Sequence, residues 1–185
     1  MSRYIAFLRA INVGGHTVKM ETLRDLFAGL GFAGVETFIA SGNVIFESKS
    51  ARTGALEKQI GKRLEAALGY AVAVFLRTDA ELAAISAYQP FNPSALKTAP
   101  ALNIALLTGP LSASAQEALM TLKTAIDDFH VHGREVYWLC RKKQSESTFS
   151  NAVFERTIRA QATFRSASTV AKLAAKYRLG GPAPD

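Results

Sequence analysis

The chain is poor in the residues that most often announce a metal or redox site, with one cysteine, Cys140, and three histidines in 185 residues. An intrachain disulfide is thereby excluded, and a reducing compartment fits best. Cys140 alternates with Val136 and Trp138. It reads as a small hydrophobe on a strand rather than a catalytic thiol, and Trp138 as core. Long apolar runs are missing too. The longest, Tyr70 to Leu76, falls far short of the roughly 18 residues that a membrane span needs. No apolar segment with a small-residue cleavage site follows Arg3 and Arg9, so no signal peptide is expected and the chain reads as cytoplasmic, with no membrane partner. Neither G-x-x-x-x-G-K-[ST] nor G-x-G-x-x-G occurs, so no nucleotide fingerprint of those kinds is present and no cofactor is expected.

What is present is ordinary globular composition, 49% hydrophobic and 20% charged. That suits one domain or two small ones. The net charge of +7 is concentrated at one end: residues 134–178 hold ten Lys/Arg against three Glu. Such asymmetry suits an anionic partner, although a solvated basic surface is its commoner meaning.

Along the chain, Tyr4 to Ile11 is apolar and β-prone and stops at Asn12-Val13-Gly14-Gly15. Met20, Leu23, Phe27 and Leu30 recur at helical spacing before Gly31. Val35 to Ala40 and Val44 to Glu47 read as strands joined through Ser41-Gly42-Asn43. A helix carrying Leu56, Ile60, Leu64 and Leu68 ends at Gly69, and Ala71 to Leu76 is another strand. The order β-α-β-β-α-β is a ferredoxin-like split βαβ unit. Thr78 with Glu81 caps a helix to about Tyr88. After a proline-bearing linker, Ala101 to Leu107 is a strand, and Ser114 with Glu117 is expected to cap the next helix. Phe129 to His132 and Glu135 to Cys140 form a hairpin around Gly133, and Phe149 to Tyr177 is read as two helices. The fold class is therefore α+β, a ferredoxin-like N-terminal half packed with a second βαββ-plus-helices half. Residues 1–88 form the first subdomain, 89–100 the linker, 101–179 the second subdomain and 180–185 a flexible tail.

Asn12-Val13-Gly14-Gly15-His16 joins a strand to a helix. Its two glycines permit positive φ, and the helix N-terminus adds partial positive charge. Arg9, His16 and Lys19 could add to an anion site there, although a plain tight turn explains the same residues. Ferredoxin-like topology strengthens the case, because it brings this loop and the Ser41-Gly42-Asn43 turn to one rim of the sheet. The candidate anion-binding residues are Arg9, Asn12, Gly14, Gly15, Lys19, Ser41, Gly42 and Asn43.

Other groups read more simply. His130 and His132 share a strand face but lack a third ligand at metal spacing, so no metal site is expected. Asp127-Asp128 is a polar hairpin entry, and Ser150 and Glu155 are explained by capping and solvation. The strand Gly42 to Phe46 lacks the basic-glycine-aromatic pattern of an RNA-recognition motif.

Leu8-Arg9-Ala10-Ile11-Asn12-Val13-Gly14-Gly15, Met20-x-x-Leu23-Arg24 and Phe38-Ile39-Ala40-Ser41-Gly42-Asn43-Val44-Ile45-Phe46 closely resemble the bacterial family known as domain of unknown function (DUF) 1697. The resemblance implies a two-part α/β fold and no activity. Ala10 stands where the family usually has glycine. A C-terminal family stretch, T-x-R-N-W-N-T, corresponds to Thr163-Phe164-Arg165-Ser166-Ala167-Ser168-Thr169, with Ser166, Ala167 and Ser168 replacing its amides and tryptophan. The resemblance adds Arg165 to the candidate anion ligands. Three functions stay open: binding of an anionic small molecule or nucleotide, nucleic-acid binding through the basic last third, and an enzyme, for which no nucleophile–base pair emerges.

Overall fold

Strands whose residues are apolar without alternation must be covered on both faces, and Tyr4-Ile5-Ala6-Phe7-Leu8 is such a run, each residue no more than 2% exposed. It lies within β1 (Ser2–Leu8) of a computed structural model that describes residues 1–40, 42–99 and 101–177. Ser41 and the 180–185 tail lie outside the described residues. After β1 come α1 (Met20–Ala28), β2 (Ala33–Thr37), β3 (Asn43–Ser48), α2 (Thr53–Leu68) and β4 (Val74–Thr78). They form an antiparallel sheet in the order β2-β3-β1-β4, with β3 returning between β1 and β2. The ferredoxin-like order follows.

Tyr4, Ala6 and Leu8 join Val44, Phe46, Val74 and Leu76 in a core with Leu23 and Phe27 of α1 and Leu56, Ile60 and Leu64 of α2. Each large side chain buried there contributes about 1.5–3 kcal/mol. The α2 stop is as expected: Gly69 is left-handed, and its N–H bonds Glu65 O at 2.9 Å. The α1 helix ends earlier, at Gly29, and Gly31 follows with φ +81°.

The remaining elements are α3 (Asp79–Ala87), α4 (Pro93–Thr98), β5 (Ala101–Leu106), α5 (Ala113–Met120), β6 (Asp127–His132), β7 (Glu135–Cys140), α6 (Asn151–Ile158), β8 (Thr163–Ser166) and α7 (Ala167–Lys176). The second sheet runs β6-β7-β5-β8, again antiparallel. The stretch 89–100, read as a linker, contains α4, capped by Asn92 through a 2.8 Å bond from Ala95 N–H. Thr78 and Glu81 form the expected capping box. The cap of α5 is Ser112 rather than Ser114, its hydroxyl accepting Ala115 N–H at 3.2 Å. Thr163–Ser166, inside the stretch that the sequence reads as two helices, is a strand paired with β5 from Asn103 to Leu106.

The chain divides into two compact units, the first formed by Met1–Ala83 and the described residues from Leu173 on, the second by Ala84–Lys172. Both repeat one β-α-β-β-α-β order. The correspondence reaches single side chains. Arg77 on β4 pairs with Ile5, and Arg165 on β8 pairs with Ile104. Each is buried and donates Nη1 to the carbonyl just before it, Leu76 O at 2.8 Å and Phe164 O at 2.9 Å.

Candidate functional site

The sheet order brings the β1–α1 loop and the β2–β3 hairpin to one rim of the first unit, and the contacts there are direct. Leu8 N–H donates to Gly42 O at 2.8 Å, and Asn12 Nδ2 donates to Ala40 O at 3.1 Å. The other end of the same carboxamide, Asn12 Oδ1, accepts the N–H of Val18. Gly42 has φ +76°, and a Cβ there would lie 3.0 Å from Ile11 Cβ and 3.2 Å from Leu8 Cβ. Glycine is needed at this contact for space as well as for conformation.

Left-handed backbone is concentrated in these two segments. Ala10 (φ 61°), Asn12 (58°), Gly14 (60°) and Gly15 (87°) carry it in the loop, and Ile39 (51°) and Gly42 (76°) in the hairpin. Val13 to His16 is a turn closed by a 3.1 Å bond from His16 N–H to Val13 O. Positive φ at both central glycines is the type I′ pattern. Gly14 and Gly15 are exposed, with nothing within 4 Å of where a Cβ would stand. Neither of their N–H groups has a partner among the described residues.

Each candidate residue has a distinct position. Gly14, Gly15 and Lys19 face solvent, with Lys19 immediately before α1. Arg9 is half-buried, and its N–H bonds Ala73 O at 3.0 Å. Asn12 and Gly42 bind the two segments together rather than pointing outward. Asn43 is wholly buried and clamps its own hairpin, with Nδ2 bonded to Phe38 O at 2.9 Å. Ser41 lies outside the described residues. Arg165 belongs to the other unit. It sits on β8 of the second unit, buried, with Nη1 also bonded to Thr163 Oγ1 at 2.9 Å. Burial pushes its guanidinium down to about 10, so it stays charged at neutral pH.

Two features of the rim carried no signal in the sequence. His16 stacks on Tyr70 with ring centroids 3.8 Å apart. Val13 and Ile39, one on each segment, are 55% and 53% exposed, whereas nearly every other large hydrophobic residue is covered. Ile39 combines exposure with a left-handed conformation, which is rare for a β-branched residue and costs roughly 1–3 kcal/mol. Glu21 in the first turn of α1 already complements the helix dipole, so an incoming anion shares that field.

In the second unit the two strand histidines both meet Tyr88. His130 Nε2 bonds the Tyr88 hydroxyl at 2.8 Å, while the His132 ring stacks on Tyr88 at 3.9 Å. Among the described residues no cluster of three His, Cys, Asp or Glu could hold a metal ion. Asp127 accepts Trp138 Nε1–H at 2.8 Å and the Ser147 hydroxyl at 2.7 Å, a structural role. Ser150 caps α6, and Glu155 accepts Ala162 N–H. Cys140 is buried, which pushes its thiol up.

Two expected outcomes follow from these conformations and charges. Left-handed backbone costs an L-residue about 1–2 kcal/mol, and glycine returns about 0.4–1 kcal/mol of that through the unfolded chain. Ala10→Gly therefore raises stability by up to about 1.6 kcal/mol in urea unfolding; a loss of stability contradicts the conformation. Burial, helped by His132 and Lys123, lowers the His130 pKa from its ordinary 6.5, against the pull of Asp128. The unfolded chain then takes up this proton first, so stability present above pH 6.5 is eroded as the pH falls below it. Between about pH 7.5 and 5.5 the native chain loses more stability than His130→Gln; equal losses remove His130 from the account.

No curated protein matches the chain. Among solved structures, "conserved bacterial protein SP0830 from Streptococcus pneumoniae" has the same fold, with a TM-score of 0.75 at 22% identity over 94% of this chain and 97% of that one. The family described as "Protein of unknown function (DUF1697)" matches residues 1–137. The chain, with its doubled split βαβ topology and its glycine-bearing rim, belongs to the DUF1697 family.

Proposed function

We propose that this chain is a cytoplasmic binding protein for an anionic small molecule or nucleotide, taken up at the rim where the β1–α1 loop meets the β2–β3 hairpin. The observation that carries the reading is the exposed turn of Gly14 and Gly15, both left-handed, beside the start of α1 and tied to the hairpin through Asn12. Backbone N–H groups without protein partners at such a position favour negative charge. Lys19 and Arg9 supply cationic side chains nearby in the chain, and Val13 and Ile39 offer apolar contact to a nucleobase or another flat group. Asn12, Gly42 and Asn43 hold the frame. No helix among the described residues is long and apolar enough to cross a membrane.

The nucleic-acid alternative draws on fewer cations than the sequence count suggests. Arg165 is buried, Arg141 pairs with Asp128 at 3.4 Å and Lys176 with Glu36 at 3.1 Å. For an enzyme, no nucleophile–base pair emerges at the rim among the described residues.

Inorganic phosphate and a panel of nucleotides, titrated against thermal unfolding, test the proposal. A ligand at a hundredfold excess over its Kd adds about 2.7 kcal/mol, and Gly15→Val abolishes the gain while the unliganded protein remains folded. Absence of any shift across the panel, or a shift that survives Gly15→Val, overturns it.

A further inference from the structure

A third segment meets the rim of the first unit. Arg9 N–H donates to Ala73 O at 3.0 Å, so the α2–β4 connection, 69–73, adjoins the end of β1. Tyr70 lies in that connection, directly after the left-handed Gly69, and packs against the core of its unit. On it rests His16, with ring centroids 3.8 Å apart and planes 27° from parallel. His16 is exposed, and among the described residues its ring has no other aromatic neighbour and no hydrogen bond. One face of the imidazole is thus covered and anchored, and the other is left for a flat group. The backbone holds the ring there, because His16 N–H bonds Val13 O at 3.1 Å and Val18 N–H is tied to Asn12. A stacking ring fixed before binding leaves less conformational entropy to lose when a ligand arrives.

Charge around this ring has one sign. The segments 9–19, 38–43 and 69–73 contain Arg9 and Lys19 and no aspartate or glutamate. His16 directly follows Gly15 in the chain, so an anionic group on the N–H groups of Gly14 and Gly15 brings the atoms next to it beside the imidazole. A phosphomonoester carries about 1.5 to 2 negative charges at neutral pH, which these two cations offset. Val13 and Ile39, both more than half exposed, border the turn and the hairpin with apolar surface.

Resting on the anion site proposed above, we infer that its ligand is a nucleoside monophosphate, with the phosphate on the Gly14-Gly15 turn and the base stacked on the open face of His16. Every base has a π face, so stacking of this kind accepts any of them. Tyr70 is the floor beneath. Its hydroxyl is buried with no partner among the described residues, so the ring supports His16 through its face alone. Two cations across three segments suit one phosphate, whereas a nucleic-acid strand presents a row of them.

Calorimetric titration of the full chain with adenosine 5′-monophosphate, ribose 5-phosphate and inorganic phosphate tests the inference. Adenosine 5′-monophosphate is expected to bind at least about tenfold tighter than ribose 5-phosphate, a difference of about 1.4 kcal/mol. His16→Ala removes that preference and leaves the binding of ribose 5-phosphate in place, whereas His16→Phe and Tyr70→Phe retain it. Should a variant not fold, NMR on the native chain reads the same contact: the nucleotide moves the His16 ring protons upfield and ribose 5-phosphate does not. No preference for the nucleotide, a preference that survives His16→Ala, or His16 protons that stay in place overturns the inference. Phosphate binding that is still lost in Gly15→Val then leaves the anion site standing. No binding by any of the three overturns the inference through the anion site itself. So does an oligoadenylate that binds more than about tenfold tighter than the mononucleotide and loses this in His16→Ala, because the occupant is then a strand.

Discussion

One carboxamide ties the candidate rim together. Asn12 accepts the Val18 N–H with its oxygen and donates to Ala40 O with its nitrogen, so a single side chain fixes both the path into α1 and the position of the opposite hairpin. Few residues could do this from a left-handed backbone. Asparagine tolerates that conformation better than other residues with a side chain and carries donor and acceptor on one planar group. Gly42 completes the join by letting the hairpin backbone approach Leu8 and Ile11 more closely than most Cβ contacts allow. The exposed Gly14-Gly15 turn is held in place by these contacts and makes none of them.

The alternation of apolar runs with helical periodicity was enough to read the first unit, because β1, β3 and β4 each carry an uninterrupted apolar run (Tyr4 to Leu8, Val44 to Phe46 and Val74 to Leu76) and α2 ends at a glycine with left-handed backbone. Segments with weaker signals were misread for identifiable reasons. Thr163–Ser166 is only four residues long and contains a charged side chain, so nothing local distinguishes it from a helix entry; its pairing with β5 makes it a strand. Ser112 and Ser114 both precede a helical stretch, and only backbone geometry selects the first as cap. Asn12 and Asn43 were read as polar donors for a ligand, and their hydrogen bonds turn inward to the frame. Arg165 counted as surface charge in the sequence because composition is blind to burial.

The doubling of the fold is the feature least visible in the residues. Arg77 and Arg165 occupy one topological position, opposite Ile5 and Ile104, yet their surroundings in sequence differ, since topology requires only a matching pattern of covered faces. The two units nevertheless diverge where function is expected. Between β1 and α1 lies a long loop with two left-handed glycines, whereas the corresponding β5–α5 connection is a short turn through Gly109-Pro110 that ends in the Ser112 cap.

Backbone hydrogen exchange in Asn12→Ala measures the central claim most directly. If the loop and hairpin are one mechanical element, removing the carboxamide speeds exchange at Val18 and His16 in the loop and at Phe38 in the hairpin together, while the amides of β1 stay protected. Faster exchange confined to Val18, with Phe38 unchanged, would mean that the two segments merely adjoin and that the rim is not a built site.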